Sequence, residues 1–245
     1  LEPIYNVMYE IRSAVYPAVK GSGHSAILWH KKIIDAIISK DVESAKTSII
    51  RHLEISREHT KKLLKKTIKE SEIRKNNLRI YLNKMKAVNP RFLILGEAPG
   101  YKGCRLSGIA FTSEKVLFEN PFFKNEPYQF INEQGKLESE ISATIVWSEL
   151  SRLKEKPLIW NIFPFHPHSA DNIQTNRTPN QTELEEGKRF LIELLELFEI
   201  QKILALGRKP ESQLSDIGIQ STYVRHPANG GKNQFIAGLN NEMTI

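Results

Sequence analysis

Three short loops in this chain place groups capable of chemistry directly after or within apolar runs. Gly96-Glu97-Ala98-Pro99-Gly100 follows FLIL (92–95). Asn161 sits inside LIWNIF (158–163), just ahead of PFHPH. His226-Pro227-Ala228-Asn229-Gly230-Gly231 follows TYVR (222–225). Together they offer a carboxylate, an amide and an imidazole. An amide carries one acceptor and two donors, enough to read a polar planar ring along one edge. An imidazole N–H can stabilise an oxygen on which negative charge develops. The glycines allow backbone to approach a ligand closely, and the prolines fix the direction in which each loop leaves.

These groups meet only if the apolar runs are neighbouring strands of one sheet. FLIL, LIWNIF, KILAL (202–206) and TYVR read as strands. ELEEGKRFLIELLELF (183–198) reads as an amphipathic helix, with Thr182 and Glu185 as its capping box. Strands separated by helices predict a three-layer α/β/α domain with a mainly parallel sheet. In such a sheet ligands bind outside the carboxyl ends of the strands, where all three loops fall.

Residues 1–90 have a different pattern. WHKKIIDAIISK and DVESAKTSIIRHLEISREHTKKLLKK carry helical apolar stripes. GSG (21–23) reads as a turn and Asp41 as an N-cap. A third helix is predicted over roughly 71–86, stopped by Asn89-Pro90. The expected division is a helical segment, 1–68, and an α/β domain, 69–245, joined within the charged stretch KKTIKES.

The chain has 245 residues and a net charge of +7, with a pI near 9.3. Residues 1–90 hold 18 Lys/Arg against 9 Asp/Glu, while residues 91–245 hold 17 against 19. The basic excess suits either DNA phosphates or a solvated helix surface. No apolar run approaches the roughly 20 residues of a membrane-spanning helix. Cys104 is the only cysteine, which precludes an intrachain disulfide or a four-cysteine cluster and fits a reducing cytoplasm. His166 and His168 in PFHPH lack evident companion ligands and read as loop histidines.

The motifs GEAPGYKGCRLSGIAFTSE, NRTP (176–179) and RHPANGG, in that order, resemble the uracil-DNA glycosylase superfamily, most closely its GEAPG-type branch. The resemblance covers about residues 73–245 and implies cofactor-free excision of uracil from DNA. It places Gly96, Ala98, Pro99, Gly100 and Tyr101 against the base, with Phe111 as the stacking aromatic. It implies that Asn161 matches the N3–H and O4 of uracil but not cytosine, and that His226 donates to O2. Glu97 would position water or stabilise the sugar cation. Equally, the Gly96–Ala98 backbone would bond the base and Glu97 would be a loop carboxylate held by nearby amides. Arg225 and Lys232 would contact phosphates. The sequence departs from the branch at its missing iron–sulfur cysteines and at Gly103, where relatives often carry Glu.

LEPIYNVMYEI and WHKKIIDAIISKDVESAKTSIIRHLE resemble the C-terminal half of the effector-binding helical domain of GntR-type regulators. His30 and His52 match two of its metal-ligand positions, but its first half and any DNA-reading winged helix are absent. The alternatives to an enzyme are therefore a catalytically weak module that binds damaged DNA, or a fused regulator fragment binding a metal or a small acid. A resident metal is not expected.

Overall fold

The computed structural model describes residues 22–243, so LEPIYNVMYEI lies outside the described residues. Helix α1 spans Ser22–Ile38 and helix α2 spans Val42–Val88. Ser22 and Gly23 belong to the first turn of α1 rather than to a separate turn. The chain reverses at Lys40, whose φ is 57°, and Asp41 caps α2 by accepting from the Ser44 N–H at 2.9 Å. The expected separate helix over 71–86 is instead the last part of α2, which has 47 residues. The charged run KKTIKES contains neither Gly nor Pro, and charges on a solvated helix face do not interrupt it. The helix stops at Asn89, which adopts φ 52° ahead of Pro90.

The chain divides into two compact units, one of residues up to Ser71 with Ala170–Ile173, the other of the remainder. In the first unit the rings of His30 and His52 meet edge-on at 4.8 Å. Several apolar side chains of these helices, among them Ile37, Ile38 and Leu53, are exposed. No helix among the described residues is long and apolar enough to cross a membrane.

The second unit has an α/β fold. Strands β1 (Phe92–Gly96), β2 (Leu158–Asn161), β3 (Lys202–Leu206) and β4 (Thr222–Val224) form one parallel sheet in the order β2-β1-β3-β4. Helices flank it: α3 (Cys104–Ser107), α4 (Glu114–Glu119), α5 (Ile141–Leu150), α6 (Gln181–Leu197), α7 (Arg208–Asp216) and α8 (Lys232–Glu242). The inner strands read as continuous apolar runs because both faces are covered, and Leu93, Ile94, Leu95 and Leu204 have no exposure. On the edge strand β2, the Ile159 N–H donates to the buried Tyr81 hydroxyl of α2 at 2.9 Å.

Helix α6 begins two residues before the expected capping box. Asn180 is the N-cap, accepting from Glu183 N at 3.0 Å, and the Glu183 carboxylate accepts from Asn180 N at 2.8 Å. NQTE and TELE are both box sequences, and the extended Asn180 (φ −81°, ψ 175°) is the one that caps. Gly187 faces the Ile162 carbonyl at a distance no Cβ would tolerate, so α6 presses directly on the chain leaving β2.

Candidate nucleotide-binding active site

The β1→β2 connection runs to one side of β1, whereas β2→β3 and β3→β4 run to the other. Strand ends diverge at such a reversal and leave a crevice. Gly96 ends β1 and pairs in register with Asn161, which ends β2. A Cβ on Gly96 would stand 2.6 Å from Asn161 Oδ1 and 2.5 Å from Phe111 Cζ. The bare glycine therefore lets an amide and an aromatic ring converge over one point of backbone.

Phe111 reaches that point through a strained, well-bonded turn. Its φ is +47°, unusual for a residue with a bulky side chain. The flanking backbone is held by the buried pair Ser107 Oγ···Thr112 Oγ1 at 2.7 Å and by Thr112 Oγ1 donating to Ile109 O at 2.6 Å. Asn77 ties this turn to the next segment, donating to Ser107 O at 2.9 Å and to Gln129 O at 2.8 Å. Asn161 is 4% exposed, and its amide atoms are not among the enclosed side-chain atoms left without a partner among the described residues.

The His226 ring lies 6.2 Å from that of Phe111, centroid to centroid. Its Nδ1 accepts from the Ala228 N–H at 3.2 Å, which leaves the proton on Nε2. Burial first, and the adjacent Arg225 second, hold the imidazole below its usual basicity, so the neutral Nε2–H form prevails at pH 7. The loop after His226 doubles back through Asn229 (φ 52°) and Gly230 (φ 76°). Gly231 passes under the His226 carbonyl too closely for any side chain. Arg225 is half-buried and donates to His226 O at 3.2 Å, whereas Lys232 is exposed in the first turn of α8.

The rest of the first loop has other partners. Lys209 Nζ stands 3.3 Å from Glu97 Oε1 and 3.5 Å from Oε2, and donates to Thr178 Oγ1 at 2.6 Å. Glu97 Oε1 is buried and accepts no hydrogen bond. Tyr101 N donates to Asn176 Oδ1 at 3.0 Å, and the Lys102 ammonium lies 5.7 Å from the Tyr101 ring. The Tyr101 main chain is thus tied to the NRTP segment. Ala98 is half-buried and Pro99 buried. Gly100 and Gly103 lie under the Glu140 carboxyl, closer than a Cβ would permit. Burial pushes that carboxyl up to about 7. Glu140 is delivered there by a segment anchored on Glu114. The Glu114 carboxylate accepts from Ile131 N, Asn132 N and Asn132 Nδ2 at 2.7–2.9 Å.

Sequence reasoning missed Lys209, Thr178 and Glu140. The rule that pointed to the ends of β1, β2 and β4 applies equally to Gly207-Arg208-Lys209 after β3. Glu140 lies far from Gly103 in sequence, and no local pattern announces it. Among the described residues no group of three or more His, Cys, Asp or Glu could hold a metal, so His30 and His52 lack a third ligand there. His166 Nε2 and Asn176 Oδ1 are 3.1 Å apart, and the His168 ring stacks on that of His166 at 5.5 Å. Grooves of about 740 and 670 Å³ lie on the N-terminal helices, one beside Arg51 and His59, the other beside Ile37 and Ile49. The first is lined mostly by charged side chains of α2, among them Arg51, Glu54, Arg57 and Glu58, and the second mainly by apolar ones.

A parallel sheet with an amide, a buried aromatic and a neutral imidazole at its carboxyl edge suits a protein that takes a planar polar base. Residues 82–241 match the model of the uracil DNA glycosylase superfamily, about two thirds of the chain, and the chain belongs to that superfamily. Among solved structures it is similar to wild-type SMUG2 of Pedobacter heparinus. The identity is 22% and the TM-score 0.50, over 63% of this chain and 74% of that one. That likeness is one of fold. Among curated proteins none matches.

Proposed function

We propose that this protein hydrolyses the N-glycosidic bond of uracil flipped out of DNA. The observation that carries the reading is the meeting of Phe111 and the Asn161 amide over Gly96, with the His226 ring 6.2 Å from that of Phe111. A base inserted there stacks on Phe111, a contact worth roughly 1–3 kcal/mol. The Asn161 amide donates to uracil O4 and accepts from N3–H. Cytosine reverses both positions and leaves the buried amide mispaired.

When the C1′–N1 bond breaks, its electron pair goes to the base and charge gathers on O2. The Nε2–H of His226 donates to that oxygen. Because the ring is already neutral and aligned by Ala228, the donor needs no reorganisation. The sugar left behind is cationic and is attacked by water. Glu97, on the loop after β1, is the carboxylate available to hold that water or balance the cation. Arg225 and Lys232 flank the His226 loop and suit phosphates of the extruded nucleotide. Similarity to the GEAPG-type branch extends to the motif, whereas a cluster of four cysteines cannot be built from Cys104 alone.

The test is release of free uracil from an oligonucleotide containing a single deoxyuridine, measured at low salt across pH 6–9. Release that depends on Asn161 is the expected result. Tight binding of that oligonucleotide without any release would replace the enzyme by a damaged-DNA binding module.

A further inference from the structure

Glu97 would be a poor partner for water if it could rotate freely, and the structure contains a group that stops it. Strand β3 leaves the sheet at Gly207, whose φ of 103° starts α7 abruptly. Lys209 lies in the first turn of that helix, where a positive charge opposes the helix dipole and is not favoured for stability. Its ammonium spans two other segments instead, 3.3 Å from Glu97 Oε1 and 2.6 Å from Thr178 Oγ1. Thr178 is itself fixed. Arg177 forks onto the Glu183 carboxylate at 2.6 and 2.7 Å, and also donates to Thr178 O at 3.1 Å and to His168 O at 2.9 Å. The chain from Glu183 through Arg177 and Thr178 to Lys209 thus ends on the carboxylate of the first loop.

We propose that Lys209, braced by Thr178, is a positioning residue that holds the Glu97 carboxylate in one orientation. In that orientation Oε1 is enclosed on the lysine side, which leaves Oε2 as the oxygen offered to the attacking water. The inference rests on the glycosylase reading and deepens it, because it assigns the ammonium to the hydrolytic step rather than to DNA phosphates. A lysine serving only as a phosphate contact would act on binding and its salt dependence. A lysine that orients Glu97 acts on cleavage after binding is complete.

The experiment compares the full chain with Lys209→Met, Lys209→Arg, Glu97→Gln and the Lys209→Met/Glu97→Gln double variant. Single-turnover uracil release is measured on a deoxyuridine oligonucleotide, and affinity on a 2′-fluoro-deoxyuridine oligonucleotide, which resists cleavage. Lys209→Met should slow release roughly tenfold, the scale of one charged hydrogen bond, with affinity within about twofold by the same reasoning. Lys209→Arg should recover most of the rate, and Lys209→Met should cost little more once Glu97 is Gln. Weakened binding with an unchanged rate would overturn the proposal, as would a full Lys209→Met penalty in the Glu97→Gln background. A slow Lys209→Met that Lys209→Arg fails to rescue would do the same. If the unaltered protein releases no uracil, the glycosylase reading itself fails and takes this inference with it. If it releases uracil and Lys209→Met is as fast, only the inference fails.

Discussion

The two sides of the crevice are built differently. On the base side, Asn161 is the terminal residue of a strand, Phe111 is fixed by a buried hydroxyl network, and the imidazole tautomer is set by a main-chain N–H. On the carboxylate side, Glu97 depends on a lysine side chain that is 59% exposed. Groups placed by backbone register move only if the sheet moves. Groups placed by an exposed ion pair are subject to side-chain freedom and to salt. In the proposed reading, recognition is the side placed by backbone register, and orientation of the carboxylate is the side held by a side-chain ion pair.

The sharpest way to break that contrast is to fill the point where the first of those sides converges. Gly96→Ala adds a Cβ that must displace both Asn161 and Phe111. Uracil release should fall on the order of a hundredfold or more, while the melting temperature changes far less than the activity. Activity close to that of the unaltered protein would mean that the base does not sit over Gly96. Next, Asn161→Ala and His226→Ala should each slow single-turnover release by roughly two orders of magnitude, the scale for losing one pre-organised polar contact. Near-normal rates in both would place the reaction in another crevice.

The smallest effect concerns stability rather than rate. The folded Glu140 carboxyl titrates near 7, and its ordinary value is 4.5. Between those values the folded protein holds more proton than the unfolded chain, so the contribution of this group falls as pH rises from about 4.5 to about 7. Urea midpoints at pH 5 and pH 8 should therefore differ less in Glu140→Gln than in the unaltered protein. An identical difference in both would show that Glu140 is not enclosed over the first loop.

Much of this site was legible because its signals are local. Gly96, Asn161 and His226 each lie at or beside a short apolar run, and the strand-end rule needs nothing more. The positions of β1 to β4 followed from the same runs. Lys209 was readable by that rule, but its strand end was passed over. Glu140 was not readable, since its contact with Gly100 and Gly103 depends on a long segment folding back onto Glu114. The extent of α2 was misjudged because charge was allowed to mark a boundary, although the absence of Gly and Pro between Val42 and Val88 argued for continuity. The cap of α6 was misplaced because two box sequences overlap.

The stretch that matches the family begins at residue 82, yet Asn77 and Tyr81 lie upstream of it. Asn77 pins the turn that carries the aromatic ring, and Tyr81 occupies the outermost amide of the sheet. A polypeptide trimmed to the matched stretch would therefore lose the Tyr81 hydroxyl that the Ile159 N–H donates to. An edge-strand donor without a partner is a point at which another strand can add, so the Tyr81 hydroxyl closes one such point on β2.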